Sequence, residues 1–326
     1  MEKFTTRLTI ATMVLMIIMS IHTQARAGWY DTASKDHKKW AKEFYQVNDK
    51  EKYTNVHKTL LSDDIKLKFG YIKFPGINMS SSLKSSKNNF AEVIGANEIA
   101  YNGETFHSVI VDHSKCYKGE WGNDCAMSGG SSRTELKAKG YTFNEGTEKW
   151  INYAVLPANN ILFNGRSRTF TVGQCHPQDD DGERITWMIK FRDNTLELNH
   201  NFKSTQQNDG TWKRGYEVFR TLKKFDANDN NGSFDWTNIR INFKNSKKAD
   251  GKLHIWIDNK LAYEYNGPTN WNDGKRDKCQ FKFGLYTNGN LTSPYKEHME
   301  NMTVFVDYMA IAKTEQKLEK LLKKDK

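Results

Sequence analysis

From about residue 91 onward, short runs rich in β-branched and aromatic residues alternate with turns built from Gly, Asn and Asp. The runs include His107 to Asp112, Trp150 to Leu156, Thr169 to Val172, Ile185 to Phe191, Ile239 to Phe243, Leu253 to Ile257, Gln280 to Tyr286 and Thr303 to Ala312. Many such runs in succession predict an all-β chain folded as an antiparallel β-sandwich. The chain has 326 residues, of which 37% are hydrophobic and 13% aromatic. That supplies a sizeable core and excludes a disordered chain. Only one apolar stretch approaches membrane-span length, which excludes a multi-span membrane protein. Four cysteines are too sparse for a disulfide-built miniprotein.

The apolar stretch lies at the start. Lys3 and Arg7 precede the run Leu8 to Ile21, and Gln24-Ala25-Arg26-Ala27 follows. A charged start, an apolar centre and a small-residue exit predict a signal peptide over residues 1–27. The apolar run is short for a span, which disfavours an uncleaved anchor. The chain is therefore expected to be secreted or periplasmic, with no stable membrane insertion after cleavage. Residues 28–90 read as a helical and loop extension: Trp40, Phe44, Tyr45, Leu60 and Leu61 sit in proline-free sequence, and Pro75-Gly76 opens a Ser/Lys/Asn-rich stretch. Residues 91–313 form the expected β domain. Residues 314–326 are a basic tail in which Leu318, Leu321 and Leu322 recur at helical spacing. In an oxidising compartment Cys116 and Cys125 would staple a surface loop. Cys175 and Cys279 lie in strand-like runs and are either bridged or two buried thiols.

Three strands carry a polar stripe that a plain half-buried sheet does not need. Alternation places Arg133, Glu135 and Lys137 on one face, opposite Thr134 and Leu136. Gln174 and His176 share a face, opposite Cys175. Gln280, Lys282 and Tyr286 share a face, opposite Cys279, Phe281, Phe283 and Leu285. Cys175 and Cys279 thus point into the same core. If the stripes share a sheet, they form the floor of one groove.

These three segments, Arg133-Thr-Glu-Leu136, Gln174-Cys-His176 and Lys282-Phe-Gly-Leu-Tyr286, resemble the signature strands of jelly-roll polysaccharide lyases. That group includes the alginate lyases, heparin lyase I and glucuronan lyase, and the resemblance covers roughly residues 130–313. It implies a jelly-roll, concanavalin-like sandwich and β-elimination on a uronic-acid polysaccharide. It also implies that Tyr286 protonates the leaving oxygen, and that His176 is the base or Tyr286 does both jobs. The chemistry needs a partner for the uronate carboxylate, so that charge can build up in an enolate-like transition state. Arg133 offers a bidentate fork and Gln174 an amide donor. Lys282, Lys137, Glu135 and Gln280 are expected to line the groove beside the substrate, with Glu135 orienting Arg133.

The net charge is +10, and +8 once residues 1–27 are removed, which suits an acidic polysaccharide partner. Nucleic acid is not expected, because no nucleic-acid-binding module is visible. No cofactor is expected; calcium is the one candidate, from the Asp226 to Gly232 loop and the Gln178 to Glu183 segment, and the first of these has no Glu to close it. His107 and His113 flank a strand and read as structural before functional. Trp187, Trp212, Trp236 and Trp271 read as core packing before sugar platforms. The three groove strands carry fewer clustered Arg and Lys than a heavily sulfated chain would need, so an unsulfated polyuronate of the glucuronan or alginate type is expected, handled by a monomer. The rival reading is a non-catalytic carbohydrate-binding sandwich. A glycoside hydrolase ranks last, because no Glu-x-Asp-x-x-Glu strand supplies the paired carboxylates.

Overall fold

The computed structural model describes residues 66–69, 74, 79–80, 90–94, 100–101, 105–111, 118–119, 122–123, 131–157, 169–177, 185–192, 195–201, 205–206, 212–213, 217–225, 236–270, 278–288 and 302–323. The early strands are β1 (Lys66–Phe69), β2 (Met79–Ser80), β3 (Phe90–Ile94), β4 (Thr105–Val111), β5 (Lys118–Gly119), β6 (Gly122–Asn123) and β7 (Ser131–Phe143). The middle strands are β8 (Glu148–Pro157), β9 (Thr169–Pro177), β10 (Trp187–Arg192), β11 (Thr195–Asn201), β12 (Thr205–Gln206), β13 (Trp212–Lys213) and β14 (Glu217–Lys224). The last elements are β15 (Thr237–Lys244), β16 (Lys252–Ile257), β17 (Lys260–Asn266), β18 (Cys279–Asn288), β19 (Met302–Ala312) and the helix α1 (Glu315–Leu322).

Two antiparallel sheets form the sandwich. The eight-stranded sheet runs β1-β3-β4-β19-β8-β15-β16-β17, and the seven-stranded sheet runs β14-β11-β10-β9-β18-β7-β2. The extension expected over 28–90 needs correcting at its end, because β1 joins the larger sheet and β2 the smaller. The short Lys-Leu-Lys-Phe alternation of β1 has period two and is only four residues long, so helical spacing upstream masked it. The expected signal peptide, the helices over 33–62, and Cys116 and Cys125 lie outside the described residues. Among those residues no helix is long and apolar enough to cross a membrane.

Alternation explains the core. Ile151, Tyr153 and Val155 of β8, Ile239, Ile241 and Phe243 of β15, and Val304 and Val306 of β19 face inward from the larger sheet. Trp187, Ile189 and Phe191 of β10, and Phe281, Phe283 and Leu285 of β18, meet them from the smaller. Tyr153 packs 5.9 Å from Phe281, and Trp187 packs 6.0 Å from the same ring. Trp187 is fully buried, as packing alone requires, and Trp236 lies against Phe106 and Tyr101.

Cys175 and Cys279 are bridged, with their Cα atoms 5.4 Å apart. The bond joins β9 to β18 beneath the polar face. Closing a loop of 104 residues constrains the unfolded chain by about 4.7 kcal/mol in the chain-entropy account. The β16–β17 hairpin turns on Asp258 and Asn259, whose φ values of 50° and 64° are the left-handed pair of a tight two-residue turn. Lys223 of β14 reaches Asp258 at 2.9 Å, which ties the free edges of the two sheets together. The tail forms the expected helix. Thr314 caps α1 by accepting from the Lys317 amide, and Leu318 and Leu322 bury against Ala310 and Ala312.

Two histidines are buried in the sandwich. His107 lies between the sheets, 4.4 Å from Phe74 and paired in register with Val306, so it belongs to the core rather than the groove. His200 bonds the Tyr263 hydroxyl at 2.9 Å. Burial pushes each imidazole down to a pKa of about 3, against 6.5 when exposed. The unfolded chain therefore takes up protons below about pH 6.5 that the folded protein refuses. Stability from these groups is complete above that pH and is lost progressively between there and about pH 3. The loss is up to about 1.4 kcal/mol per pH unit for each histidine. Thermal unfolding between about pH 7 and pH 4 should show a falling midpoint, and His107→Leu should shallow that slope by about half of the two-histidine contribution.

Candidate active site

The three polar strands are neighbours at the middle of the smaller sheet, in the order β9-β18-β7. Each is polar on one face because its other face is core: Thr134 and Leu136 of β7, Cys175 of β9 and Phe281, Phe283 and Leu285 of β18 are buried. Register then decides which polar groups meet. Tyr286 lies opposite Arg133, Gly284 opposite Glu135, and Lys282 opposite both Lys137 and Gln174.

Arg133, Glu135, Gln174 and Tyr286 form one cluster. The Arg133 guanidinium lies 4.6 Å from the centre of the Tyr286 ring. Its Nη1 is 3.5 Å from Glu135, whose side chain is 2% exposed. The Gln174 amide donates to the other oxygen of that carboxylate. Glu135 and Gln174 stand on strands separated by β18, and their side chains meet across it. Gly284 sits opposite Glu135 and has no side chain to block that crossing. Its φ is +127°, and an added Cβ would lie 2.2 Å from the Thr134 carbonyl oxygen and 3.1 Å from the Glu135 Cα. A register shift between Phe283 and Tyr286 marks the same place on the β9 side. Glycine therefore brings β7 close and turns Tyr286 toward Arg133.

Other expected residues are placed differently. Lys137 and Lys282 face one another across β7 and β18; burial first, then Lys282, lowers the Lys137 pKa below its ordinary value. A substrate carboxylate between them would relieve that cost. Gln280 pairs with His176. Tyr286 pairs with Thr171, five positions from His176 along β9. Gln174, expected to offer its amide to substrate, donates one N–H of that amide to Glu135. Face alternation along each strand was readable from the sequence, whereas the offset between strands was not.

Extending the same face reading one strand outward would have found more of the polar face. Met188, Lys190 and Arg192 of β10 alternate with the buried Trp187, Ile189 and Phe191. Met188 pairs with Gln174, so these side chains continue the polar face. Among the described residues no cluster of three or more His, Cys, Asp or Glu side chains is arranged to hold a metal ion. Both segments considered for calcium lie outside them.

A family model described as polysaccharide lyase matches residues 49–310. The chain belongs to the polysaccharide lyase family, and it is a polysaccharide lyase. The fold of this lyase is similar to that of an endo-β-1,4-glucuronan lyase from the fungus Trichoderma reesei. That likeness has a TM-score of 0.51 and 15% identity, over 76% of this chain and 95% of that one. An alginate lyase from Pseudomonas aeruginosa is matched more loosely, with a TM-score of 0.42 and 13% identity over 77% of this chain and 98% of that one. No curated protein matches the sequence. The jelly-roll sandwich expected of the lyase is the fold found.

Gly284→Ala tests the geometry of the cluster. The clash with Thr134 and the strained φ should destabilise the lyase by about 2 kcal/mol or more, read from urea denaturation. Turnover in the folded fraction should fall as well, because Tyr286 shifts with the strand.

Proposed function

We propose that the lyase is exported and cleaves an unsulfated polyuronate of the glucuronan or alginate type by β-elimination at Tyr286. The observation that carries this reading is the Arg133 guanidinium, held by Glu135 and set over the Tyr286 ring in the middle of the groove sheet. A binding module has no need of a phenol beside a guanidinium whose position is set by a buried carboxylate. Export is supported by the leader-like sequence over residues 1–27 and by the Cys175–Cys279 bridge.

In this reading the scissile uronate lies with its carboxylate toward Arg133, and Lys137 and Lys282 engage carboxylates alongside. Arg133 stabilises the charge that develops as the C5 proton leaves. The Tyr286 phenolate takes that proton and becomes the phenol, the C5 electron pair forms the C4–C5 double bond as the C4–O bond breaks, and the phenol gives its proton to the departing oxygen, which returns Tyr286 to the phenolate. In this proposal one residue serves as base and then acid; the position of Tyr286 beside Arg133 supports it, and His176, paired with Gln280, is the alternative base. Gln174 and Glu135 act through Arg133, by fixing where its fork points. The cations near the reacting centre, Arg133, Lys137 and Lys282, suit one carboxylate per sugar better than dense sulfate.

The test is ultraviolet absorbance of the unsaturated uronate, followed on a panel of glucuronan, alginate and heparin. Turnover of glucuronan or alginate is expected, and preference for heparin would overturn the substrate assignment. Tyr286→Phe keeps the ring and should lower kcat at least a hundredfold with little change in polymer affinity. His176→Asn should cost far less than Tyr286→Phe; an equal loss would return the base to His176. Arg133→Ala should lower both affinity and rate, and should also cost stability, because Glu135 loses its buried counter-charge.

A further inference from the structure

The helix α1 lies on the outer face of the larger sheet, the side of the sandwich away from the groove. It covers Ala310 and Ala312 of β19, which alternate with the inward-facing Ile311. Three contacts fix it there. Thr314 caps it, Leu318 and Leu322 are buried beneath it, and the Arg240 guanidinium meets Glu319 at 2.6 Å and Glu315 at 3.5 Å. Both acids of the helix are thus engaged by the sheet. At 3.6 residues per turn, Lys317 and Lys320 stand on the side away from Leu318 and Leu322. Both are exposed, as are Lys313 before the helix and Lys323 after it. No carboxylate among the described residues pairs with any of these four lysines.

An aromatic pair shares this outer face. Trp150 of β8 alternates with the inward-facing Ile151 and packs against the small cluster under α1. Trp256 of β16 alternates with the inward-facing Ile255 and Ile257. It stacks on Trp150, with ring centres 5.4 Å apart and planes inclined by 22°. Both indoles are half-buried. Register continues from Trp150 through Asn242 to His254 and Glu264. The acids on this face already have partners. Lys252 holds Glu148 at 3.2 Å, Arg240 holds the two helix acids, and Asn266 donates to Glu264 at 3.2 Å. What the face leaves open is a line of cations beside an aromatic platform.

We propose that Lys317, Lys320, Lys323 and Trp256 form a second binding surface for acidic polysaccharide, on the sheet opposite the groove. This rests on the polyuronate reading above. Along the helix the lysines rise in steps of about 4.5 Å, close to the length of one sugar in a 1,4-linked chain, so successive carboxylates meet successive cations. The C–H face of a pyranose lies against the Trp256 ring, and its hydroxyls face His254. A lipid surface fits less well, because Leu318 and Leu322 are buried and Leu321 packs against them, which leaves the helix no apolar face to insert. A long polymer held at this surface stays close to the groove, so its effective concentration there rises with no new contact at the reacting centre.

The experiment compares the lyase with its triple variant Lys317→Gln, Lys320→Gln, Lys323→Gln, a change that keeps helix propensity nearly equal. Retention in gels cast with polyuronate, read in a Tyr286→Phe background so that the polymer is not cut, should weaken about tenfold at low salt and little at high salt. In the active lyase, kcat/KM on the polymer should fall by a similar factor, chiefly through KM. A trisaccharide of the same uronate fills the groove alone and should change less than twofold. Trp256→Ala should weaken retention severalfold and again spare the trisaccharide. Unchanged retention of the triple variant would overturn the surface, and so would an equal loss on the trisaccharide. Loss of binding to anionic phospholipid vesicles with polymer retention intact would overturn it in favour of a membrane. If the unaltered lyase cleaves no polyuronate, the polyuronate reading fails on its own. Retention in the same gels then decides the surface: weaker retention of the triple variant sustains it, and equal retention removes it.

Discussion

The groove depends on the burial of one face of β18. Phe281 packs against Tyr153 of the opposite sheet and Trp187 of its own, Phe283 packs against Phe74, and Leu285 is buried beside them. Fully burying a side chain of that size is worth about 1.5–3 kcal/mol, so a one-residue slip that exposed three of them would be prohibitive. The same alternation that hides the phenylalanines presents Gln280, Lys282 and Tyr286 to the groove. The disulfide to Cys175 adds a covalent stop on the same buried face, between the strands that carry Gln174 and Lys282.

On that base stands a charge that would otherwise be costly. Glu135 is almost fully buried on the polar side of the sheet, where an unpaired carboxylate would be heavily penalised. Arg133 and the Gln174 amide hold it, and the crossing over Gly284 makes this possible. The arrangement costs flexibility and returns orientation: Arg133 is pinned between a carboxylate and a phenol. His107 and His200 are the opposite case. They are buried inside the sandwich, where desolvation favours the neutral imidazole.

Much of the architecture was legible along single strands. The sandwich, the inward residues, the polar stripes on Arg133, Gln174 and Tyr286, and the C-terminal amphipathic helix all follow from periods of two and 3.6. The family resemblance followed from three short motifs read in order. β1 and β2 were missed because short strands in polar sequence carry too few alternations to stand out.

What the sequence by itself determined is the set of side chains available to the groove, since facing is a local property of a strand. Which of them work together was decided by tertiary structure. Register, the bulge at Gly284 and the order β9-β18-β7 put Arg133 beside Tyr286, carried Gln174 to Glu135 and left His176 beside Gln280. Strand alternation is written every second residue, but the offset between two strands is set by packing and turns distant in the chain.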